Sequence, residues 1–300
     1  MRINTLDDLL RAVKDRPRKR LVVAWANDAH TLEAVNSAVK AGLVEPILVG
    51  DEGIMTRTLD ELGFSALRFR KVHAGSDGEA ATKAVSLMRS GEGDILMKGA
   101  LSTDKYMRAI LSKEQGLMDP GAILSHVSVM EHPRHPKLLI IGDVAVIPEP
   151  DFKEKLAILG YLVKTARALG IEQPKVAVLS ASEQVLPKMK SSVDAALLSK
   201  MAERGQIQGA LVDGPLALDA ALDPESVRLK GLTGPVAGDA DCLLFPDIEA
   251  GNVFYKAGTK LGGAEIAAVV MGARVPCVLS SRGDSAKTKL SSIALAALLA

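Results

Sequence analysis

Short apolar runs, most of them closed by a polar residue and followed by a stretch with helical spacing, set the strongest limit on this chain. LVVAW (21–25), PILVG (46–50), DILMKG (94–99), LLIIGD (138–143), KVAVLS (175–180), GALVDG (209–214), CLLFPD (242–247) and VPCVLS (275–280) all have this form. Between them lie segments such as TLEAVNSAVKAGL (31–43), GEAATKAVSLMRSG (78–91) and DFKEKLAILGYLVKTARALG (151–170), whose apolar residues recur every three or four positions. Runs too short for buried helices, alternating with amphipathic helices, predict an α/β fold with a mostly parallel sheet covered by helices. TDKYMRAILSKEQGL (103–117) reads as a helix entered from Thr103 as its cap. DAALLSKMAERG, EAGNVFYKAGTK, GGAEIAAVVMGA and the terminal SAKTKLSSIALAALLA read as further helices, and 228–240 as a Gly- and Pro-rich loop.

A chain of 300 residues is long enough for two such domains. Pro133 and Pro136 interrupt the pattern between SHVSVM and KLLIIGD. The expected division is a first α/β domain over 1–132 and 276–300 and a second over 133–275.

Charge and composition narrow the function. Thirty-seven basic side chains stand against 36 acidic ones, a net charge of +1 that offers no global surface for nucleic acid or anionic membrane. The basic runs KDRPRKR and PRHPK read as solvated surface, and the 3% aromatic content leaves little for base stacking. No run reaches transmembrane length, and the amphipathic N-terminus lacks a signal-peptide core. Cys242 and Cys277 read as reduced core thiols, which points to the cytoplasm.

Open α/β sheets bind ligands where their strands end, and polar residues gather there. Lys98 follows DILM; Ser125, His126 and Ser128 flank an apolar strand; Asp143, Ser180, Asp213 and Asn252 follow or close four others. Ser281, Arg282, Asp284 and Ser285 follow PCVL and precede the terminal helix. A guanidinium fork matches a pair of phosphate oxygens and keeps its charge when partly desolvated. Flanking hydroxyls and a helix N-terminus would complete an anion site around Arg282. Its alternative role is that of a surface arginine beside a helix cap. His126 fits a structural histidine as well as a catalytic one.

Several chemistries lack their signatures. GTKLGG (258–263) is not a P-loop, no GxGxxG follows the first strand, and there is no GxSxG elbow. His132 and His135 have no third zinc ligand nearby, and Asp239, Asp241 and Asp247 are separated loop carboxylates. Two classes remain: an enzyme acting on a phosphorylated small molecule, or a two-domain binding protein for a similar anion.

The chain resembles the phosphate acetyltransferase/phosphate butyryltransferase family over its whole length. The resemblance rests on LMKGALST (96–103), LSASEQVLPKM (179–189), VDGPLALDAAL (212–222), GPVAGDADCLLFPDIEAGN (234–252), LGGAEIAAVVMGARVP (261–276) and SRGDSAKTKLSSIAL (281–295). It implies reversible transfer of a short-chain acyl group between coenzyme A and inorganic phosphate. It further implies a homodimer of two three-layer αβα domains with a cleft between them, in a fold like that of isocitrate and isopropylmalate dehydrogenases. The C-terminal helix should return to the first domain.

Coenzyme A is then a substrate, with no cofactor and no metal required. Ser281 and Arg282 match the family's phosphate-binding pair, while Lys98, Ser125, His126, Ser128, Ser180, Asp213, Asn252 and Ser285 are candidates to bind phosphate or coenzyme A. In the acetyltransferase branch an aspartate lies seven residues after this serine; here that position is Thr288. The terminal motif is nearer the butyryltransferase branch, in which an aspartate stands at Asp284. Asp284 therefore either accepts or orients the thiol proton, or caps the last helix or pairs with Arg282. A second departure is DVAVI (143–147), with Ile147 where related chains often carry a polar residue. A catalytically silent acyl-CoA or acyl-phosphate binder is the alternative reading.

Overall fold

The computed structural model describes residues 2–279 and 284–300. The chain divides into two compact units: Leu6–Leu124 with Ala267–Ala300, and Met1–Thr5 with Ser125–Ile266. Both are helix-and-sheet units, so the fold is α/β with mixed strand pairing.

The unit holding Leu6–Leu124 opens with α1 (Leu6–Lys14) and β1 (Lys19–Ala24), then α2 (Ala29–Lys40), β2 (Val44–Gly50), α3 (Glu52–Glu61) and β3 (Arg70–His73). It continues with α4 (Asp77–Arg89), β4 (Ile95–Lys98) and α5 (Thr103–Leu111). The Ser125–Ile266 unit contributes β5 (Ser125–Glu131), β6 (Leu139–Gly142), α6 (Phe152–Ala168), β7 (Lys175–Leu179), α7 (Lys190–Glu203) and β8 (Leu211–Leu216). Short helices α8 (Leu218–Leu222) and α9 (Pro224–Lys230) follow, then β9 (Cys242–Leu244) and α10 (Ile248–Lys260). The chain finishes with β10 (Glu265–Met271), β11 (Cys277–Val278) and α11 (Ala286–Leu299).

In the first of these units the strands lie in the order β3-β2-β1-β4-β11, all parallel, with β10 added antiparallel to β11. The other unit has the order β5-β6-β9-β7-β8, parallel except for the β5–β6 pair. Helices on both sides explain why strands such as Leu21–Ala24 and Leu139–Gly142 are buried along their length and read as unbroken apolar runs. Each fully buried Leu, Ile or Val contributes about 1.5–3 kcal/mol relative to exposure. The terminal α11 is buried from Ser291 to Leu298 and packs against α1 and α2 in its own unit.

Helix starts follow the Asp and Ser residues of the sequence. Asp28, Asp51, Ser76, Asp151, Asp223, Asp247 and Ser285 each accept a backbone N–H from the first turn they precede. For α5 the cap is Ser102, which accepts the Lys105 N–H, and Thr103 is the first helical residue rather than the cap. A larger correction concerns GGAEIAAVVMGA, which is not a helix: Glu265–Met271 is strand β10, buried from Ile266 onward. Its two alanines favour a helix, but the run is seven residues long and buried along nearly all of its length. Gly263 and Gly272, at φ +71° and +103°, end it on both sides.

Candidate functional site

In the unit built on β5–β9, the polar residues at one end of the sheet converge on Asp143. This aspartate follows β6 and is 2% exposed. One carboxylate oxygen accepts the Ser125 hydroxyl at 2.8 Å and the His126 N–H at 3.0 Å. The other accepts the N–H groups of Ala145 and Val146 at 2.7 and 2.9 Å. Because β5 runs antiparallel to β6, the start of β5 and the end of β6 meet at the same sheet end, which is what lets one side chain serve both. A buried carboxylate holding four donors is satisfied rather than available as a base.

His126 is 6% exposed, with Nδ1 3.3 Å from the Ser128 hydroxyl and its ring edge-on to Tyr255 at 6.5 Å between centroids. Asn252, near the start of α10, donates its side-chain amide to the Val144 carbonyl at 3.0 Å. Gly251 beside it admits the Asp143 carbonyl where a Cβ would stand. Ser125, His126, Ser128 and Asn252 are thus brought together around Asp143 and Val144.

Ser180 follows β7, whereas Asp213, expected to close its strand, lies inside β8, which continues through Gly214 and Pro215 to Leu216. The Ser180 hydroxyl lies 3.0 Å from that of Ser191 and 3.2 Å from the Met189 sulfur, which ties the start of α7 to the end of β7. Asp213 accepts the Gly214 N–H at 2.9 Å. Lys230 bridges Glu183 and Asp219 at 2.8 and 2.9 Å, and this ammonium holds the Glu183 carboxyl below its ordinary range. That pair fastens α9 to the loop following Ser180.

Lys98 belongs to the other unit, where it ends β4 in register with Ala24 of β1. It is 7% exposed, and its ammonium lies 3.3 Å from the Gly99 carbonyl. Gly99 and Ala100 donate their N–H groups to the carbonyls of Ala24 and Trp25, both at 2.9 Å. A Cβ on Gly99 would collide with the Trp25 carbonyl and stand 2.7 Å from that of Ala24, so only glycine fits here. Trp25 itself adopts φ 60°, a conformation rarely held by a bulky side chain and one that clusters at functional sites.

Parallel strand β11 pairs Val278 with Met97, so Leu279 leaves the sheet at the end where Lys98 stands. Ser281 and Arg282 lie outside the described residues. Beyond them Asp284 is half-buried, and Ser285 caps α11 by accepting the Thr288 N–H at 3.0 Å. The Ser285 and Thr288 hydroxyls are 3.1 Å apart.

Asp143 is visible in the sequence as a strand end, yet nothing there marks it as a site residue. Its role depends on which donors surround it, and these come from β5 as well as from the turn after β6. The acidic loop residues have a structural use. Asp239 is gripped by Lys137 and Lys175 at 2.7 and 2.6 Å, Asp241 by Lys137 at 2.9 Å, and Asp247 caps α10. Among the described residues no group of three His, Cys, Asp or Glu is placed to hold a metal ion. Nor is any described helix long and apolar enough to cross a membrane.

A family model described as phosphate acetyl/butaryl transferase matches residues 65–297. The chain is 45% identical over 298 residues to a phosphate butyryltransferase of Clostridium acetobutylicum, covering 99% of both chains. It is 44% identical over 282 residues to a phosphate acetyltransferase of Thermotoga maritima, covering 94% of this chain and 95% of that one. A branched-chain phosphotransacylase from Enterococcus faecalis superimposes with a TM-score of 0.82 at 33% identity, covering 94% and 98% of the two chains. The fold alone extends to a 4-hydroxythreonine-4-phosphate dehydrogenase from Burkholderia phymatum, at a TM-score of 0.58 and 15% identity over 95% and 99%.

Proposed function

Because this chain belongs to the phosphate acetyl/butyryl transferase family, we infer that it transfers a short-chain acyl group reversibly between coenzyme A and inorganic phosphate. The observation that carries this reading is the near-complete overlap, at 45% identity, with a phosphate butyryltransferase. The reaction is acyl phosphate plus coenzyme A giving acyl-CoA plus phosphate. The thiolate sulfur attacks the acyl carbonyl, the carbonyl–oxygen bond to phosphate breaks, and phosphate leaves with that electron pair. Acyl phosphate is already activated, so holding both substrates in line supplies much of the rate.

Arg282 is assigned to the phosphoryl oxygens, with the Ser281 hydroxyl beside it. A guanidinium–phosphate fork strengthens as the leaving phosphate gains charge. Asp284 is assigned to receive or orient the thiol proton, since Thr288 carries a hydroxyl where the acetyltransferase branch has its aspartate. The buried Lys98 ammonium adds positive charge at a strand end. Ser125, His126, Ser128, Ser180, Asp213, Asn252 and Ser285 are assigned to substrate binding or its support, and the Asp143 hydrogen bonds that fix Ser125 and His126 favour a preorganised surface. We place the enzyme in the cytoplasm as a homodimer, a reading supported by the two buried free thiols and by the family.

The acyl preference falls among short chains. The butyryltransferase and acetyltransferase relatives stand at 45% and 44% identity, and one methylene in an apolar pocket changes discrimination by only about 1–3 kcal/mol. The test is thioester formation from coenzyme A with acetyl phosphate and with butyryl phosphate, beside an Arg282→Ala control. Turnover that collapses in the control is expected. A folded wild-type protein that forms no thioester from either substrate overturns the reading in favour of a binding protein.

A further inference from the structure

A pocket lies in the Ser125–Ile266 unit at the opposite end of the sheet from Asp143. It is lined by Leu159, Gly160, Val163, Lys164 and Arg167 of α6 and by Ile207 and Gln208, and holds about 400 Å³. The α6 residues are spaced so that one helix face forms a wall. Ile207 and Gln208 precede β8, and Arg167 lies in the last turn of α6, whereas Asp143 and Ser180 follow the strands they close. Strand direction therefore separates this pocket from the residues of this unit assigned to acyl transfer.

Its chemistry is two-sided. Leu159 and Val163 are buried and Ile207 is half-buried, giving an apolar floor. Lys164 and Arg167 are exposed on its rim, and neither side chain has a carboxylate partner among the described residues. A Cβ on Gly160 would meet nothing within 4 Å, which leaves the mouth open. At Gly209, φ is +78° and a Cβ would stand 2.7 Å from Arg167 Nη1, so the guanidinium rests over bare backbone.

We propose that this pocket binds an aliphatic carboxylate, with its chain on Leu159, Val163 and Ile207 and its carboxylate between Lys164 and Arg167. Arg167 offers two parallel N–H donors to the carboxylate oxygens. The volume falls within the range of small-molecule sites. This ligand site is separate from the residues of this unit assigned to acyl transfer, and in that it rests on the acyl-transfer reading.

The probe is hexanoate, followed by ligand-observed NMR titration of the full chain, with hexanol and acetate as the chain-only and charge-only comparators. Hexanoate is expected to saturate one site, and both comparators to bind about tenfold more weakly or worse. Arg167→Gln removes the anion fork. Gly160→Leu sets a bulky side chain at the mouth, its Cβ meeting nothing within 4 Å, and raises helix propensity, so it keeps the fold. Each is expected to weaken hexanoate about tenfold while leaving thioester formation unchanged. Arg282→Ala is expected to bind hexanoate as the wild type does. Unsaturable binding at millimolar hexanoate, equal affinity for hexanol, no effect of either pocket variant, or loss of binding in Arg282→Ala each overturns the proposal. The readout needs no turnover, so failure here leaves the acyl-transfer reading intact.

Discussion

The Asp143 carboxylate accepts the Ser125 hydroxyl at 2.8 Å with the same oxygen that takes the His126 N–H at 3.0 Å. Its second oxygen is filled by Ala145 and Val146, so no rotation of an amide could satisfy both sides. Asp143→Asn would turn an NH₂ group toward two donors. The expected cost is on the order of 2–3 kcal/mol of stability, since hydrogen bonds to a buried charge are the stronger kind. Loss of kcat/KM should exceed what the unfolded fraction explains. Urea denaturation with kinetics at a temperature where the variant is folded checks both, and a variant with wild-type stability would show that the four bonds carry little.

At the other strand end, Gly99→Ala tests the backbone under Lys98. The added methyl meets two fixed carbonyls, those of Ala24 and Trp25, not the tip of a flexible side chain. Overpacking of this kind costs about 1–3 kcal/mol, and it must move Lys98 or Trp25 to be relieved. Activity is expected to fall together with a shift in the emission of Trp25, which is the single tryptophan of the chain. Unchanged fluorescence and activity would mean that the strand end yields without cost.

Much of this arrangement is legible in the amino-acid sequence, and the physical reason is local. Strand ends can be read because apolar runs stop where polar residues begin, which places Lys98 and Ser125 without knowledge of their neighbours, whereas Asp213 lies inside β8 and Asn252 in α10. Strand β10 reads as a helix because Ala267 and Ala268 favour helices when taken alone, whereas pairing with β11 and burial decide their state. The partners of Asp239 are hidden for a different reason. Lys137 and Lys175 lie 102 and 64 residues away, and no spacing rule reaches that far. Asp239, Asp241 and Asp247, separated loop carboxylates in the sequence, are two ion-pair acceptors and a helix cap.

Asp239 supplies a pH dependence with a definite sign. Hydrogen bonds from Lys137 and Lys175 lower its carboxyl from 3.8 to about 2. A group depressed on folding stabilises fully above its unfolded value and loses that contribution as pH falls through the folded one. The stability difference between wild type and Asp239→Asn should therefore be constant above about pH 5 and vanish toward pH 2. Its plateau should be small, about 0.5–1 kcal/mol, because the side chain is 57% exposed and water screens the pair. Chemical denaturation across this range measures it. A gap that widens in acid would contradict the assignment.

The two cysteines give a probe of opening that requires no mutation. Cys242 and Cys277 are fully buried in β9 and β11, 0% exposed, and neither is in a disulfide. Burial disfavours the thiolate, pushing Cys277 up to about 12 and raising Cys242 well above its ordinary value. Only the thiolate attacks a disulfide reagent, so both burial and protonation protect these sulfurs in the folded chain. No fast-reacting thiol is expected from the folded protein at about pH 8, and both should react after unfolding in urea. The residual native rate should then follow the opening of the strands that hold them, rising with denaturant in proportion to the surface that opening exposes. Cys277 lies close in sequence to Ser281 and Arg282, so if acyl phosphate binds at that proposed pair it should slow the labelling of Cys277 more than that of Cys242. Equal protection of both, read by mass spectrometry of the labelled peptides, would count against a phosphate site beside the β11 strand end.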